Sequence, residues 1–155
     1  MSETGKRLEQ LGISLPVRDR KGTGVTDAVM AGDLLFISAQ FPTDADGRPV
    51  YTGKVGTDID KDTAYQAARL CGLNMLAVIK DCIGELDRID YIVKALGLIN
   101  SGGDFSEQPA VMNGFSDLMV EVLGKRGQHA RSAMGAYALE QNMPVTVEAV
   151  VRIRK

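Results

Sequence analysis

The last quarter of the chain, residues 127–153, constrains the fold most, because it holds two β-like runs joined by a short polar loop. The second run alternates between apolar and mostly polar residues, so its two sides face in opposite directions along a strand. Its apolar side consists of Val145, Val147, Ala149, Val151 and Ile153. The two runs predict a β-hairpin or a closely linked strand pair.

Two charged residues lie in the middle of these runs, among β-forming neighbours. Glu148 is in the second run, where a carboxylate must be solvated, paired or functional. Arg131 is in the first run, among small residues that leave room around its guanidinium. The planar fork of an arginine suits a carboxylate. One interpretation is therefore a structural ion pair between Arg131 and Glu148 across two strands, and the other is a functional site.

Length and composition predict one soluble domain over residues 1–155. Hydrophobic residues make up 45% and charged residues 25% of the chain, as in ordinary globular proteins. Residues 1–16 are interpreted as an N-terminal helical extension, with a short helix over Ser2–Leu11 that Gly12 ends. The chain has no apolar run long enough to span a bilayer and no signal core, so we expect a cytoplasmic protein without membrane contact.

Hydrophobic periodicity predicts an order of strands, helix, strand, helix and two strands. Besides the two C-terminal runs, strands are predicted at Val25–Met30, Leu34–Gln40, near Pro49–Thr52 and at Ile89–Ile99. Helices are predicted at Asp60–Cys82 and Pro109–Leu123, each with one apolar stripe. This order predicts an α+β fold with two helices on one face of a mixed sheet.

Several functional classes receive no support from the composition. The net charge is −2, without a lysine–arginine stripe, which argues against nucleic-acid binding. A single histidine and the lack of a Cys-x-x-Cys motif argue against a metal site. Cys71 and Cys82 lie too far apart on one predicted helix for a disulfide and are expected to be reduced. The G-K-V-G segment at 53–56 lacks phosphate-loop spacing, so a plain connector is favoured.

Five short motifs occur in register along most of the chain, over residues 24–153. Ala130-Arg131-Ser132 is followed, seventeen residues after the arginine, by the glutamate of V-E-A-V-V. The other four are Ile37–Pro42, Asn74–Ile79, Asp87–Ile89 and Val111–Asn113. Together they resemble the Rid/YjgF family, the reactive-intermediate deaminases. The pattern is most similar to a longer YjgF-like subgroup of unsettled activity.

The resemblance implies a chorismate-mutase-like fold, with two helices packed on one face of a sheet of about six strands. It also implies a homotrimer with ligand clefts between subunits, and hydrolysis of enamines or imines of amino acids to 2-oxo acids and ammonia. The chemistry needs no cofactor. A site for it must hold a carboxylate and place water beside the C=N carbon.

Family positions carry over to residues of this chain. Arg131 matches the arginine that holds the substrate carboxylate, and Glu148 matches the acidic residue associated with the catalytic water. Asn113 matches a helix asparagine near the site, and Ser38 with Ala39 matches a strand turn that lines it. The resemblance therefore implies Glu148 as the catalytic residue and a set of substrate-binding residues: Arg131, Asn113, Ser38, Ala39 and Ala133.

The chain also departs from the family pattern, which implies an altered cleft. Ala133 replaces a cysteine two residues after the arginine, Val25 replaces a tyrosine, and Ala39 replaces a glycine. His129 has no sequence motif around it that indicates a nucleophile, so a structural or ligand-positioning role is favoured. A non-catalytic protein that binds small carboxylates, or that acts as a regulator or chaperone, remains the alternative function. A chorismate mutase is a weaker third reading, since a shared fold does not carry function.

Overall fold

The computed structural model describes residues 2–17 and 24–155, which form an α+β fold built on one mixed sheet. The helices are α1 (Glu3–Gln10), α2 (Lys61–Ile83) and α3 (Gln108–Leu123). The strands are β1 (Ala28–Ala31), β2 (Leu34–Gln40), β3 (Ile89–Asn100), β4 (Ala130–Ala136) and β5 (Val145–Ile153). Within these described residues, the sheet has five strands in the order β1-β2-β5-β3-β4, and only the β3–β4 pair is parallel. Within the described ranges, no helix is both long and apolar enough to cross a membrane.

Helix α2 forms where its periodicity predicts it. The Asp60 side chain accepts a hydrogen bond from the backbone N–H of Thr63 at 2.7 Å and caps the N-terminus. Gly84 follows the last turn with a φ of +83°, which favours glycine. The apolar stripe of α2 is buried on the sheet, except that Cys82 is exposed, contrary to its predicted place in that stripe. Cys71 is buried and both thiols are free.

Helix α3 lies directly against α2 because small residues occur where they cross. A Cβ added at Gly114 would lie 2.0 Å from the backbone oxygen of Tyr65. A Cβ added at Gly72 would lie 2.7 Å from Leu118 Cδ2. The predicted apolar face of α3 is buried in full: Val111, Met112, Phe115, Leu118, Met119 and Val122. Both helices therefore cover one face of the sheet, as predicted.

The alternation of β5 is confirmed, whereas the predicted pairing of the two C-terminal runs is wrong. The five apolar residues of β5 are buried, and Glu148 and Arg152 are exposed. However, β3 lies between β4 and β5 and pairs with both. Helix α3 connects β3 to β4 as a crossover between parallel strands, and residues 137–144 then carry the chain past the end of β3. Periodicity identifies strands but does not determine which strand lies beside which.

The strand count is also one lower than the resemblance implies. The segment near Pro49–Thr52 forms only an isolated bridge between Thr43 and Pro49, because proline has no N–H to donate to a ladder. Strand β1 begins at Ala28, three residues later than predicted, so Val25 precedes the sheet and is exposed.

The N-terminal helix forms close to its predicted bounds and is fixed to the body of the protein. Ser2 caps it by accepting a hydrogen bond from the Gly5 N–H. The carboxylate of Asp87 accepts hydrogen bonds from the N–H groups of Glu3 and Thr4 at 2.7 and 2.8 Å. Acidic groups at a helix N-terminus are favourable. Burial raises the pKa of Asp87, but the hydrogen bonds from Thr4 and Glu3, together with the Arg126 charge, outweigh burial and lower this pKa.

Candidate functional site

The predicted site residues divide into two groups on opposite faces of the sheet. On β3, Ala95 pairs with Arg131 and the next residue, Leu96, pairs with Glu148. Because successive residues of a strand point to opposite faces, Arg131 points to the helix side and Glu148 to the open side. The interpretation as a structural Arg131–Glu148 ion pair within one chain is therefore wrong.

The first group lies where the edge strand β4 meets α3. One terminal nitrogen of the half-buried Arg131 donates to Ser116 Oγ at 3.1 Å. The other donates to the carbonyl oxygen of Pro109 at 3.3 Å. An arginine side chain has five N–H donors, so these two bonds orient the guanidinium and leave donors for a ligand.

Asn113 and Ala133 lie on this edge as well. Asn113 is exposed on α3, one turn after Pro109 and one turn before Ser116, on the helix side that Arg131 contacts. Ala133 is the next helix-facing residue of β4 after Arg131, and it packs against the core. The structure thus gathers three of the predicted residues around one exposed strand edge.

Two further residues at this edge, Ser116 and His129, were not predicted as a pair. His129 Nδ1 lies 2.6 Å from the carbonyl oxygen of Gly127, and Nε2 lies 3.0 Å from Ser116 Oγ. A carbonyl only accepts, so Nδ1 carries the hydrogen, and Nε2 of the neutral ring accepts the Ser116 hydroxyl proton. The ring also makes an edge-on contact with Phe115, at 5.6 Å between centroids.

A sequence signal for this pair exists but is weak. Ser116 lies three residues after Asn113, which places both on one side of a helix. His129 lies two residues before Arg131, which places both on one side of a strand. Neither spacing shows that the two sides meet.

We expect the imidazole of His129 to titrate below pH 6.5. Burial lowers its pKa most, the hydrogen bond to Gly127 opposes this, and the nearby Arg131 charge lowers it further. His129 is the only histidine of the chain, so its ring signals in a proton NMR titration are unambiguous. Removing the cation in Arg131→Ala should raise this pKa, and a wild-type value at or above 6.5 would contradict the assignment.

The second group lies on the open face around a β-bulge. The ladder between β2 and β5 pairs Ile37 with Ala149 and Gln40 with Val147, so Ser38 and Ala39 together oppose Glu148. The backbone N–H and the hydroxyl of Ser38 donate to the carbonyl oxygen of Asp27 at 2.8 and 3.1 Å. The structure therefore brings Ser38, Ala39 and Glu148 together, away from Arg131.

A shallow cavity of about 570 Å³ is lined by Ser38 and Glu148 of this second group. Lys94 and Ser132, which sequence reasoning missed, supply polar groups to it and are joined by a hydrogen bond of 2.9 Å. Glu148 is exposed and has no hydrogen bond or ion pair within the described ranges. The remaining walls are mainly apolar and include Val29, Phe36, Leu96, Met134 and Val150.

Other predicted features have simpler roles. Lys54 of the G-K-V-G segment donates to Asn100 Oδ1 at 2.7 Å and to the carbonyl oxygen of Tyr137. The segment thus connects the loop before α2 to the ends of β3 and β4, which agrees with its reading as a connector. In the described part of the chain, no three His, Cys, Asp or Glu side chains are grouped so that they could hold a metal ion.

Comparisons with known proteins agree with this architecture over nearly the whole chain. The family model described as "YjgF/chorismate mutase-like, putative endoribonuclease" matches residues 6–151. Protein TCP17 of Trypanosoma cruzi is 35% identical over 147 residues, which cover 94% of this chain and 91% of TCP17.

Solved structures give the same result. Protein Atu1372 of Agrobacterium tumefaciens, of unknown function, is 38% identical with a TM-score of 0.89, covering 97% of this chain and 92% of that one. A "putative endoribonuclease" from Shewanella oneidensis is 30% identical with a TM-score of 0.91, covering 98% and 100%. RidA from the Antarctic bacterium Psychrobacter sp. is 23% identical with a TM-score of 0.61, covering 88% and 94%, which shows a shared fold. The chain belongs to the Rid/YjgF family and has its chorismate-mutase-like fold.

Proposed function

We propose that this protein hydrolyses small imines or enamines derived from amino acids, giving a 2-oxo acid and ammonia. The observation that carries the proposal is the state of Arg131 at the β4 edge. Its guanidinium is oriented by Ser116 and Pro109, yet it has no carboxylate partner within the described ranges and retains N–H donors. Such a group is ready to hold the carboxylate of an amino-acid derivative.

We expect Arg131→Ala to lose about tenfold or more in affinity for small 2-oxo acids, because a charge-assisted hydrogen bond contributes roughly 1.5–3 kcal/mol. Arg131→Lys should lie between wild type and Arg131→Ala, since it keeps the charge but loses the fork. Isothermal titration calorimetry with pyruvate and 2-oxobutyrate measures both changes.

A matched control for this experiment is Arg48→Ala, which removes an exposed arginine paired with Asp46 in a loop. Its affinity should equal that of wild type. Equal affinity in wild type, Arg131→Lys and Arg131→Ala would leave Arg131 with a structural role and remove the basis of the proposal.

We further propose a homotrimer with its clefts at subunit boundaries. In the part of the chain that the structure describes, helices cover only one face of the sheet, and the open face carries exposed apolar side chains, among them Val29 at 56%, Phe36 at 47% and Met134 at 53% exposure. A sheet face of this composition is normally covered. A second copy is the occupant that the family relationship favours, and it could also bring Glu148 of one subunit towards Arg131 of another.

Non-catalytic binding of small carboxylates remains a second candidate, favoured by the separation of Arg131 from Glu148 within one chain. Freshly generated 2-imino acids, followed by semicarbazone or keto-acid formation, distinguish the two functions. A hydrolase accelerates the breakdown of these 2-imino acids, whereas with a non-catalytic binder the rate of breakdown equals that in buffer alone. If Glu148 acts on the water, Glu148→Gln should lose turnover and keep ligand affinity, while Glu140→Gln in the exposed turn before β5 serves as its control.

We expect only weak, salt-sensitive RNA binding, although "endoribonuclease" is part of the family description. The net charge of −2 provides no basic surface to neutralise phosphates. Filter binding with a labelled RNA at two salt concentrations tests this expectation. Tight binding that persists at high salt, or cleavage that follows the protein through purification, would contradict it.

A further inference from the structure

We propose that Ser116 and His129 form the proton-transfer pair for a ligand whose carboxylate is held by Arg131. Ser116 is the catalytic residue that contacts the attacking water, and His129 acts through it. The proposal rests on the imine hydrolysis proposed above and assigns to that reaction a base other than Glu148. It follows from the hydrogen-bond chain that joins Arg131, Ser116 and His129 at the β4 edge.

The two ends of this hydrogen-bond chain determine which group donates and which group accepts in each of its hydrogen bonds. The Gly127 carbonyl accepts, so the His129 ring must donate through Nδ1 and accept through Nε2. Arg131 only donates, so Ser116 Oγ accepts from it and donates its own proton to His129 Nε2. A serine hydroxyl that donates to a neutral imidazole of fixed tautomer is arranged to pass a proton to the ring.

The pair is also close to the place where the ligand would be held. Arg131 contacts Ser116 Oγ at 3.1 Å, so a carboxylate on the remaining Arg131 donors lies within a few ångströms of that hydroxyl. The C=N carbon of a 2-imino acid is bonded directly to its carboxylate carbon. A water bound to Ser116 Oγ can therefore approach this carbon, as general base catalysis requires.

The carboxylates along α3 have other partners. Glu107 pairs with Lys61 at 2.9 Å, and Glu121 pairs with Arg69 at 3.0 Å. Asp117 accepts the Tyr65 hydroxyl proton at 2.7 Å. Glu148 lies across the sheet. Among the described groups that contact Arg131, the Ser116–His129 pair is the one that can take up a proton.

His129 is in the right state to act as a base near neutral pH. Burial and the Arg131 cation keep its pKa below the usual value, so the ring is neutral at pH 7. The turn before β4 presents the Gly127 carbonyl to the ring, and α3 presents Phe115 and Ser116. Arg131 is the charged group whose field acts on the ring.

The proposed steps start from the iminium form of the substrate, and atoms and charges balance throughout. The water oxygen bonds to the iminium carbon while its proton passes to Ser116 Oγ and the serine proton passes to His129 Nε2. The π electrons move to nitrogen, which gives a neutral carbinolamine and an imidazolium. The imidazolium then returns a proton through Ser116 to the amine. The C–N bond breaks, ammonia leaves, and the hydroxyl proton goes to solvent as the carbonyl forms.

The variant His129→Gln distinguishes a role of His129 in proton transfer from a role in positioning Ser116 and Arg131. Glutamine can accept from Ser116 and so keep Arg131 in place, but it cannot take up a proton near neutral pH. We expect kcat on 2-imino acids to fall by about 100-fold or more, the usual scale of general base catalysis, with 2-oxo-acid affinity within about threefold of wild type. Ser116→Ala should lose kcat similarly, Ser116→Thr should recover part of it, and Ser14→Ala, at an exposed serine after α1, is the control.

The pH dependence of kcat is a readout that would not change if His129 had only a structural role. Wild-type kcat should fall as the pH drops through the His129 pKa, measured separately by NMR, and His129→Gln should lack this acid limb. The inference is overturned if His129→Gln keeps wild-type kcat and the acid limb, or if Glu148→Gln abolishes turnover while His129→Gln does not; imine hydrolysis stands in both cases. If the wild-type protein does not hydrolyse 2-imino acids faster than buffer alone, the inference and the proposed hydrolysis are both overturned.

Discussion

Gly114→Ala, which adds one methyl group where α2 and α3 cross, should destabilise this protein far more than Gly103→Ala does. A Cβ at this position would lie 2.0 Å from the Tyr65 carbonyl oxygen and 3.1 Å from the Arg69 backbone nitrogen, both in the main chain of α2. Backbone atoms of a packed helix cannot move aside as a flexible side chain can. The two helices would have to separate, which would loosen the core that both helices form with the sheet.

We expect a loss of about 1–3 kcal/mol or more in the free energy of unfolding, the usual cost of overpacking a dense core. Denaturant unfolding at one fixed protein concentration measures it, because association would otherwise change the midpoint. Gly103→Ala is the matched control, since a Cβ there would have no heavy atom within 4 Å apart from those of residue 103 and its two chain neighbours. Equal midpoints of denaturant unfolding for Gly114→Ala and Gly103→Ala would show that α2 and α3 do not cross as closely as described.

Phe36→Asp should convert the proposed trimer to monomers. Phe36 lies on the open face of β2, beside the exposed Val29 of β1, with which it pairs in the ladder. A carboxylate there would have to be buried without a partner when a second copy covers the face, which is strongly unfavourable. The side chain is 47% exposed in a single chain, so folding of the monomer should be affected much less.

Multi-angle light scattering tests this directly. Three chains of 16.7 kDa give a mass near 50 kDa for wild type, against 16.7 kDa for the variant. Val50→Asp is the control, because Val50 is 52% exposed in a loop before α2 and lies outside the sheet. A wild-type mass of one chain would remove the trimer proposal, and a Phe36→Asp trimer would show that another surface forms it.

The assembly and the chemistry are connected by the position of the site. Arg131, Ser116 and His129 lie where the edge strand β4 meets α3. If subunit boundaries complete the cleft, Phe36→Asp should also lose imine turnover. If the edge site works alone, turnover should survive in the monomer. Measuring mass and turnover on the same preparation therefore tells whether a neighbouring subunit is needed for catalysis.

Much of the fold could be predicted because burial leaves a local pattern. The bounds of α2, α3, β2, β3 and β5 follow from apolar residues repeating every two or every three to four positions. Glycine and the Asp60 cap mark where these elements begin or end. The five motifs in register, from Ile37–Pro42 to V-E-A-V-V, indicated the family correctly, since their order along the chain does not depend on the tertiary structure.

The site was predicted only in part, because its geometry depends on strand order. Arg131 and Glu148 both lie in strands, as predicted, although Arg131 is near the start of β4 and only Glu148 is in mid-strand. Strand β3 lies between their strands, and its register turns them to opposite faces. Ser116 and His129 are thirteen residues apart, separated by the end of α3 and a tight turn, and only packing brings them within 3.0 Å. The sequence alone determined the long helices and strands, since their periodicity is a property of neighbours along the chain, but it did not exclude the strand predicted near Pro49–Thr52. Only the tertiary structure decided which polar groups share a face, because contacts between distant segments leave no periodic signal in either one.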